Sequence, residues 1–196
     1  MCYYSIMKNN NHFLVVDTET GGLDPEKNSI LSIAGVLWEP KTKINKVFDL
    51  YIKEDDINVE EAALKVNKIN LAMINEVGLS PLEAVRTIRT TLNSSFGPDR
   101  SPIQLVGHNV SFDVGFIKRL YRLAGEDFSQ DFRDRAIDTC SILHFLIISG
   151  KIKSNRASAD VLFEAAGVFI PEEERHTAMG DALATAFSID KFLDKF

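Results

Sequence analysis

Hydrophobic and polar positions alternate between two periods along this chain. His12 to Asp17 is a short, β-branched, nearly continuous apolar run ending in a carboxylate, the pattern of a central strand covered on both faces. Gly21, Gly22 and Pro25 break it. A second apolar run covers Ile30 to Trp38, and Val47 to Lys53 alternates as a third strand, so the chain is expected to open with a three-strand meander. From Asn58 the period turns helical, with Ala62, Ala63 and Val66 on one side, and Ser80-Pro81 supplies a start signal for a longer helix carrying Leu82, Val85, Ile88 and Leu92. Ile103 to Val106 reads as a fourth strand leading into Gly107-His108-Asn109. A helix from Phe112 to Ala124 follows, with Phe112, Phe116, Leu120 and Leu123 facing inward and Lys118, Arg119 and Arg122 mostly outward. A short strand at Ala136 to Thr139 gives way to a helix through Ile148, with Asp138 or Thr139 as its cap. Helices over Ser158 to Ala166 and from beyond Glu174 to near Phe196 complete the pattern.

Strands first and helices interleaved later predict an α/β fold, a mixed central sheet of about five strands, meander first, with helices on both faces. The 196 residues have globular composition, 45% hydrophobic and 26% charged, and show no repeat or linker, so residues 1–196 are expected to form a single domain with residues 1–11 as a flexible tail. Cys2 and Cys140 form no ligand pattern, which favours a reduced, cytoplasmic setting. No apolar run approaches the length of a membrane span, and no membrane association is expected. A net charge of −6 repels polyanions at long range, so any nucleic-acid contact has to be local, and metal ions bridging carboxylate to phosphate are one way to achieve it.

The candidate chemistry lies in scattered acids. Asp17 and Glu19, two apart at a strand end, point to the same side of the sheet and repel each other unless a cation lies between them. On spacing alone this is either a solvated strand end with a turn-forming aspartate or half of a metal site. Asp113 falls near the start of a helix, where the macrodipole favours any acid. His176 and Asp181 are five apart, about 140° around a regular helix, and share a site only if His176 lies on the loop before the helix or where it starts. Beside Glu172, Glu173 and Glu174, a lone histidine is as easily a surface residue. Leu23 is open between loop anchoring and ligand contact.

Taken in order, D-T-E-T-G-G-L from Asp17, H-N-V-S-F-D from His108 and H-T-A-M-G-D-A from His176 closely resemble the three motifs of the DEDDh exonucleases. That family includes the proofreading subunit of bacterial DNA polymerase III, ribonuclease T and oligoribonuclease. The likeness runs from about His12 to Leu193. It implies a ribonuclease-H-like fold, with Asp17, Glu19, Asp113 and Asp181 holding two Mg²⁺ or Mn²⁺ ions and His176 as general base. The implied activity is 3′-to-5′ hydrolysis of single-stranded DNA or RNA to nucleoside 5′-monophosphates, with a DNA polymerase as an expected partner and a homodimer compatible with it. Thr18, Thr20, Leu23 and Asn67 are implied to meet the terminal nucleotide. Many relatives have a second threonine where this chain has Gly21, and V-H-G-I where it has Val66-Asn67-Lys68-Ile69.

The residue types agree with that chemistry. Mg²⁺ takes oxygen ligands and keeps waters, and two ions about 4 Å apart activate a water on one side of phosphorus and stabilise the leaving oxygen on the other. Two rivals remain: a phosphomonoesterase with an aspartyl nucleophile, disfavoured because Glu19 stands where Asp-x-Asp-x-Thr needs aspartate, and a non-catalytic nucleic-acid or polymerase-binding module, disfavoured because it has no need of four like charges held together.

Overall fold

The computed structural model describes residues 12–67 and 69–195; the expected tail at 1–11 lies outside the described residues. Three strands open the chain: β1 (Phe13–Thr20), β2 (Ile30–Glu39) and β3 (Lys43–Tyr51). Helices α1 (Glu61–Asn67), α2 (Leu71–Val77) and α3 (Pro81–Phe96) lead to β4 (Gln104–Gly107) and α4 (Ser111–Ala124). A short strand β5 (Ile137–Asp138) runs into α5 (Thr139–Ile148), followed by α6 (Ala159–Ala166) and α7 (Ala178–Lys195). The strands form one mixed sheet in the order β3-β2-β1-β4-β5, in which β1 is antiparallel to β2 and parallel to β4.

The period-2 pattern of β1 decides what each face meets. Leu14 and Val16 join Ile88 and Leu92 of α3 and Phe116 and Leu120 of α4 in one core. Val15, with Ala34, Val36 and Val106, packs on Ala182, Ala186 and Ile189 of α7 in a second. A smaller cluster joins α5, α6 and α7 through Leu143, Leu162, Phe163, Ala184 and Phe192. Each fully buried side chain of this size contributes about 1.5–3 kcal/mol, which fixes α4 and α7 on opposite faces of the strand that carries Asp17 and Glu19.

Sequence pattern and structure differ at four places. The third strand starts at Lys43 rather than Val47, because β3 is the sheet edge and its first residues are polar on the solvent side. Helix α2 stands as a separate element, started by the Asn70 side chain accepting from the Ala72 N–H. Leu123, expected inside, is 46% exposed and opens onto a surface groove with Pro81 and Leu82. Arg119, expected outside, instead pairs with buried Glu54, whose carboxylate also accepts from Ser29 Oγ and the Ile30 N–H. That pair locks the turn between β1 and β2.

Candidate active site

The carboxylates converge where β1 outruns its parallel neighbour. The ladder with β4 covers Phe13–Val15, so Asp17 to Thr20 extend past it. Asp17 and Glu19 continue the row begun by Phe13 and Val15, and therefore face α7. Met179 and Ala182 dock α7 on that row and hold Asp181, in its first turn, over the strand end. Asp17, Glu19 and Asp181 each offer an oxygen within 4.8 Å of the others. Thr18 points to the opposite side, where its N–H and Oγ1 both donate to Asp113 Oδ1, at 2.9 and 2.8 Å. Asp113 is thereby drawn from the first turn of α4 to the same strand end. A register shift between Glu19 and Thr20 marks a bulge beside the cluster.

Burial and mutual repulsion act together on these groups. Asp17 is held well above the usual carboxylate range by burial, then by Asp113, Asp181 and Glu19. Glu19 is pushed up to about 8, first by burial and then by Asp181 and Asp113. Burial raises Asp113 to about 7 against the two Thr18 hydrogen bonds, and raises Asp181 against the opposing pull of Arg175. All-oxygen donors at this separation, too close to ionise together, are the donor set a hard divalent cation takes.

Arg175 and His176 sit on the turn before α7. The Arg175 Nη1 donates to both oxygens of Asp181, at 2.5 and 2.6 Å, and Nη2 donates to Asp160 at 2.6 Å. His176 is exposed, has a backbone φ of 59° and lines a cavity of about 330 Å³ together with Glu19 and Arg175. The turn can lie this close to the helix because residue 180 is glycine: a Cβ there would stand 2.1 Å from the Glu174 carbonyl oxygen. His176 thus lies outside the helix, on the turn before it, which is the placement the five-residue spacing requires if it is to share a site with Asp181.

The residues expected at the terminal nucleotide line a second cavity, of about 340 Å³, on the other side of Glu19. Leu23, Ala62, Ala63, Val66 and Phe112 form its apolar side, and Thr18, Thr20 and Asn67 its polar side. Leu23 is 81% exposed, so its side chain is not anchored in the core. The polar groups are already engaged: Thr20 Oγ1 donates to the Gly22 carbonyl, and the Asn67 amide donates to the Thr20 carbonyl and accepts from the Ile69 N–H. Gly21 is packed rather than open, since a Cβ there would reach within 2.4 Å of the Asn58 carbonyl oxygen. A second threonine does not fit. His108 bridges Thr139 Oγ1 and the Ala157 carbonyl, and Asp138 caps α5, so both brace the strand ends.

Residues 14–187 match the RNase_T family, described as exonuclease. The chain belongs to this exonuclease family. A DNA polymerase III subunit epsilon-like protein of Rhodobacter capsulatus is 31% identical over 89% of this chain and 22% of its own length. The 3′-5′ DNA exonuclease Cap18 of Escherichia coli is 32% identical over 93% of this chain and 91% of its own. Exonuclease I of Escherichia coli, solved in complex with a dT13 oligonucleotide, has the same fold, with a TM-score of 0.75 at 17% identity over 94% of this chain and 41% of that one. The chain thus spans about a fifth of the Rhodobacter relative and under half of exonuclease I.

Within this exonuclease domain, sequence reasoning missed Arg175. Its signal was a single cation between three glutamates and the motif histidine. Its partners come from α6 and α7, which one-dimensional pattern does not join. Among the described residues no helix is long and apolar enough to cross a membrane.

Proposed function

We propose that this chain is a divalent-metal-dependent 3′-to-5′ exonuclease that removes nucleoside 5′-monophosphates from single-stranded nucleic acid. The reading is carried by one observation: Asp17, Glu19 and Asp181 bring oxygens within 4.8 Å of one another, with Asp113 hydrogen-bonded to the intervening Thr18. These four residues would hold Mg²⁺ or Mn²⁺. When bound, two such ions supply an activated water and charge stabilisation at the leaving oxygen. The remaining work falls to the chain itself. Thr18 fixes the Asp113 carboxylate from two directions and leaves its second oxygen free of that pair. His176, exposed and lining the cavity that Glu19 also lines, would take the proton of the attacking water on a ring nitrogen. Leu23 and Phe112 offer apolar surface to the terminal base, while Thr18, Thr20 and Asn67 border the sugar and phosphate. DNA as substrate is supported by the name of the Cap18 relative, whose length the chain nearly spans. A polymerase partner is supported by the name of the Rhodobacter relative.

Matched 5′-labelled DNA and RNA oligonucleotides, incubated with Mg²⁺, Mn²⁺ or chelator, test the proposal. A ladder shortened from the 3′ end, dependent on metal and faster on DNA, is expected. Failure of folded protein to shorten either strand with either ion would end it. His176→Ala should lower kcat far more than it changes KM, because a proton acceptor acts in the transition state.

A further inference from the structure

Arg175 has no part in the chemistry proposed above, yet its guanidinium pairs with Asp181, one of the proposed metal ligands. Its guanidinium holds both oxygens of Asp181 on the inner side and Asp160 on the outer side, and lies 5.3 Å from the centre of the Phe163 ring. The Arg175 and Asp181 side chains are 16% and 14% exposed, whereas Asp160 is 64% exposed. The inner contact is therefore the drier of the two.

We propose that Arg175 is a positioning residue that stands in for divalent metal at Asp181 in the metal-free chain, yields Asp181 when metal arrives, and stays tethered to Asp160 and Phe163. The inference rests on the metal-dependent reading given above. A cation that takes an Asp181 oxygen breaks the inner contact only; the outer carboxylate and the ring still hold the guanidinium. The released nitrogen then borders the cavity that Arg175 shares with Glu19 and His176. Charge accounts for why it should stay. Four carboxylates are matched by two divalent ions and Arg175 by Asp160, so a phosphodiester entering the loaded site competes with that 64% exposed carboxylate for the guanidinium. A planar fork of N–H donors suits that anion better than any other side chain.

The test is binding of Mn²⁺ alone to the chelator-stripped, folded protein, followed by calorimetry without nucleic acid. Arg175→Gln removes the competitor and should tighten Mn²⁺ roughly tenfold or more, the range expected for losing a charge-assisted hydrogen-bond pair. Its melting temperature in chelator should fall, because the carboxylates lose their stand-in. Asp160→Asn gives Arg175 wholly to Asp181 and should weaken Mn²⁺. A general field effect would produce the same two signs, so the double variant decides. If Asp160 acts through Arg175, the double variant binds Mn²⁺ as tightly as Arg175→Gln alone. Cancellation of the two shifts in the double variant, or no tightening in Arg175→Gln, would overturn the proposal. Should Arg175→Gln fold poorly, Arg175→Lys replaces it, with an affinity between the wild-type and glutamine values. Absence of any Mn²⁺ binding to the wild-type chain would instead refute the metal site itself.

Discussion

Two clusters of buried charge in this molecule use the same residue types to opposite ends. Asp131, 1% exposed, accepts from Arg89 Nε at 3.0 Å and Tyr121 Oη at 3.0 Å and is paired with Arg100, while Arg89 also holds Glu126 at 2.9 Å. Two acids there meet two guanidinium groups. At the end of β1, four acids face the single guanidinium of Arg175, and it is shared with Asp160. The apolar groups differ in the same sense. Around Asp131, Tyr121, Phe128 and Phe132 are buried and stacked edge-on or tilted. Around the carboxylates, Leu23 is left in solvent. A matched cluster is finished and serves the fold; an unmatched one is held ready for a partner with positive charge.

Substitutions that cancel the contrast should have the largest effects. Asp17→Asn keeps the shape and removes one ligand charge. Turnover should drop by roughly three orders of magnitude, since several kcal/mol of charge stabilisation depend on the ligands. At alkaline pH, where burial and its acidic neighbours make an ionised Asp17 costly, the melting temperature in chelator should rise by about 2–4 °C. A fall in both would show that Asp17 is structural. Asp131→Asn is the mirror experiment. It leaves Arg100, with a side chain only 6% exposed, beside a neutral amide, and should cost about 3 kcal/mol in urea denaturation. Exonuclease turnover per folded molecule should be unchanged.

The next effect is a dependence on pH with a defined sign. Burial and its acidic neighbours raise Glu19 from 4.5 to about 8 in the folded chain. Between those values the folded state keeps a proton that the unfolded chain has lost, so the stabilisation is complete below the unfolded value and disappears as pH rises through the folded one. Chelated protein should therefore melt at progressively lower temperature as pH is raised across that window. Mn²⁺ added at the alkaline end should restore the loss, and Glu19→Gln should flatten the slope. A melting temperature that climbs with pH in chelator would contradict the assigned repulsion.

These contrasts were unevenly legible in the sequence. Asp17 and Glu19 share a face because strand geometry has a period of two, and the five-residue offset from Asp181 requires His176 to lie outside α7, as it does, if the two share a site. Such local rules also placed β1, β2, β4 and, on α4, Phe116 and Leu120 in the core, though not Leu123. What failed was whatever depends on a neighbour distant in the chain. Arg119 read as a solvated cation until Glu54, 65 residues earlier, met it, and Arg175 acquires its role from Asp160 and Asp181 together. Gly21 read as a strand breaker, whereas residue 21 is small so that the Asn58 backbone can pass. Lys43, Asn45 and Lys46 concealed the first half of β3, because an edge strand has a wet face.

Leu23→Ala should give the smallest shift and separates the two clusters most cleanly. An apolar side chain that is 81% exposed contributes little to folding, so unfolding free energy should change by less than about 0.5 kcal/mol. If the residue covers the terminal base in the cavity it shares with Phe112, its loss removes contact from the bound state only. KM should rise about fivefold, roughly 1 kcal/mol and at the low end for a stacking contact, with kcat nearly constant. Ile148, 83% exposed on α5, outside both cavities described at the site, supplies the control: Ile148→Ala should move neither KM nor stability. Equal effects of the two substitutions would mean that Leu23 is ordinary exposed surface.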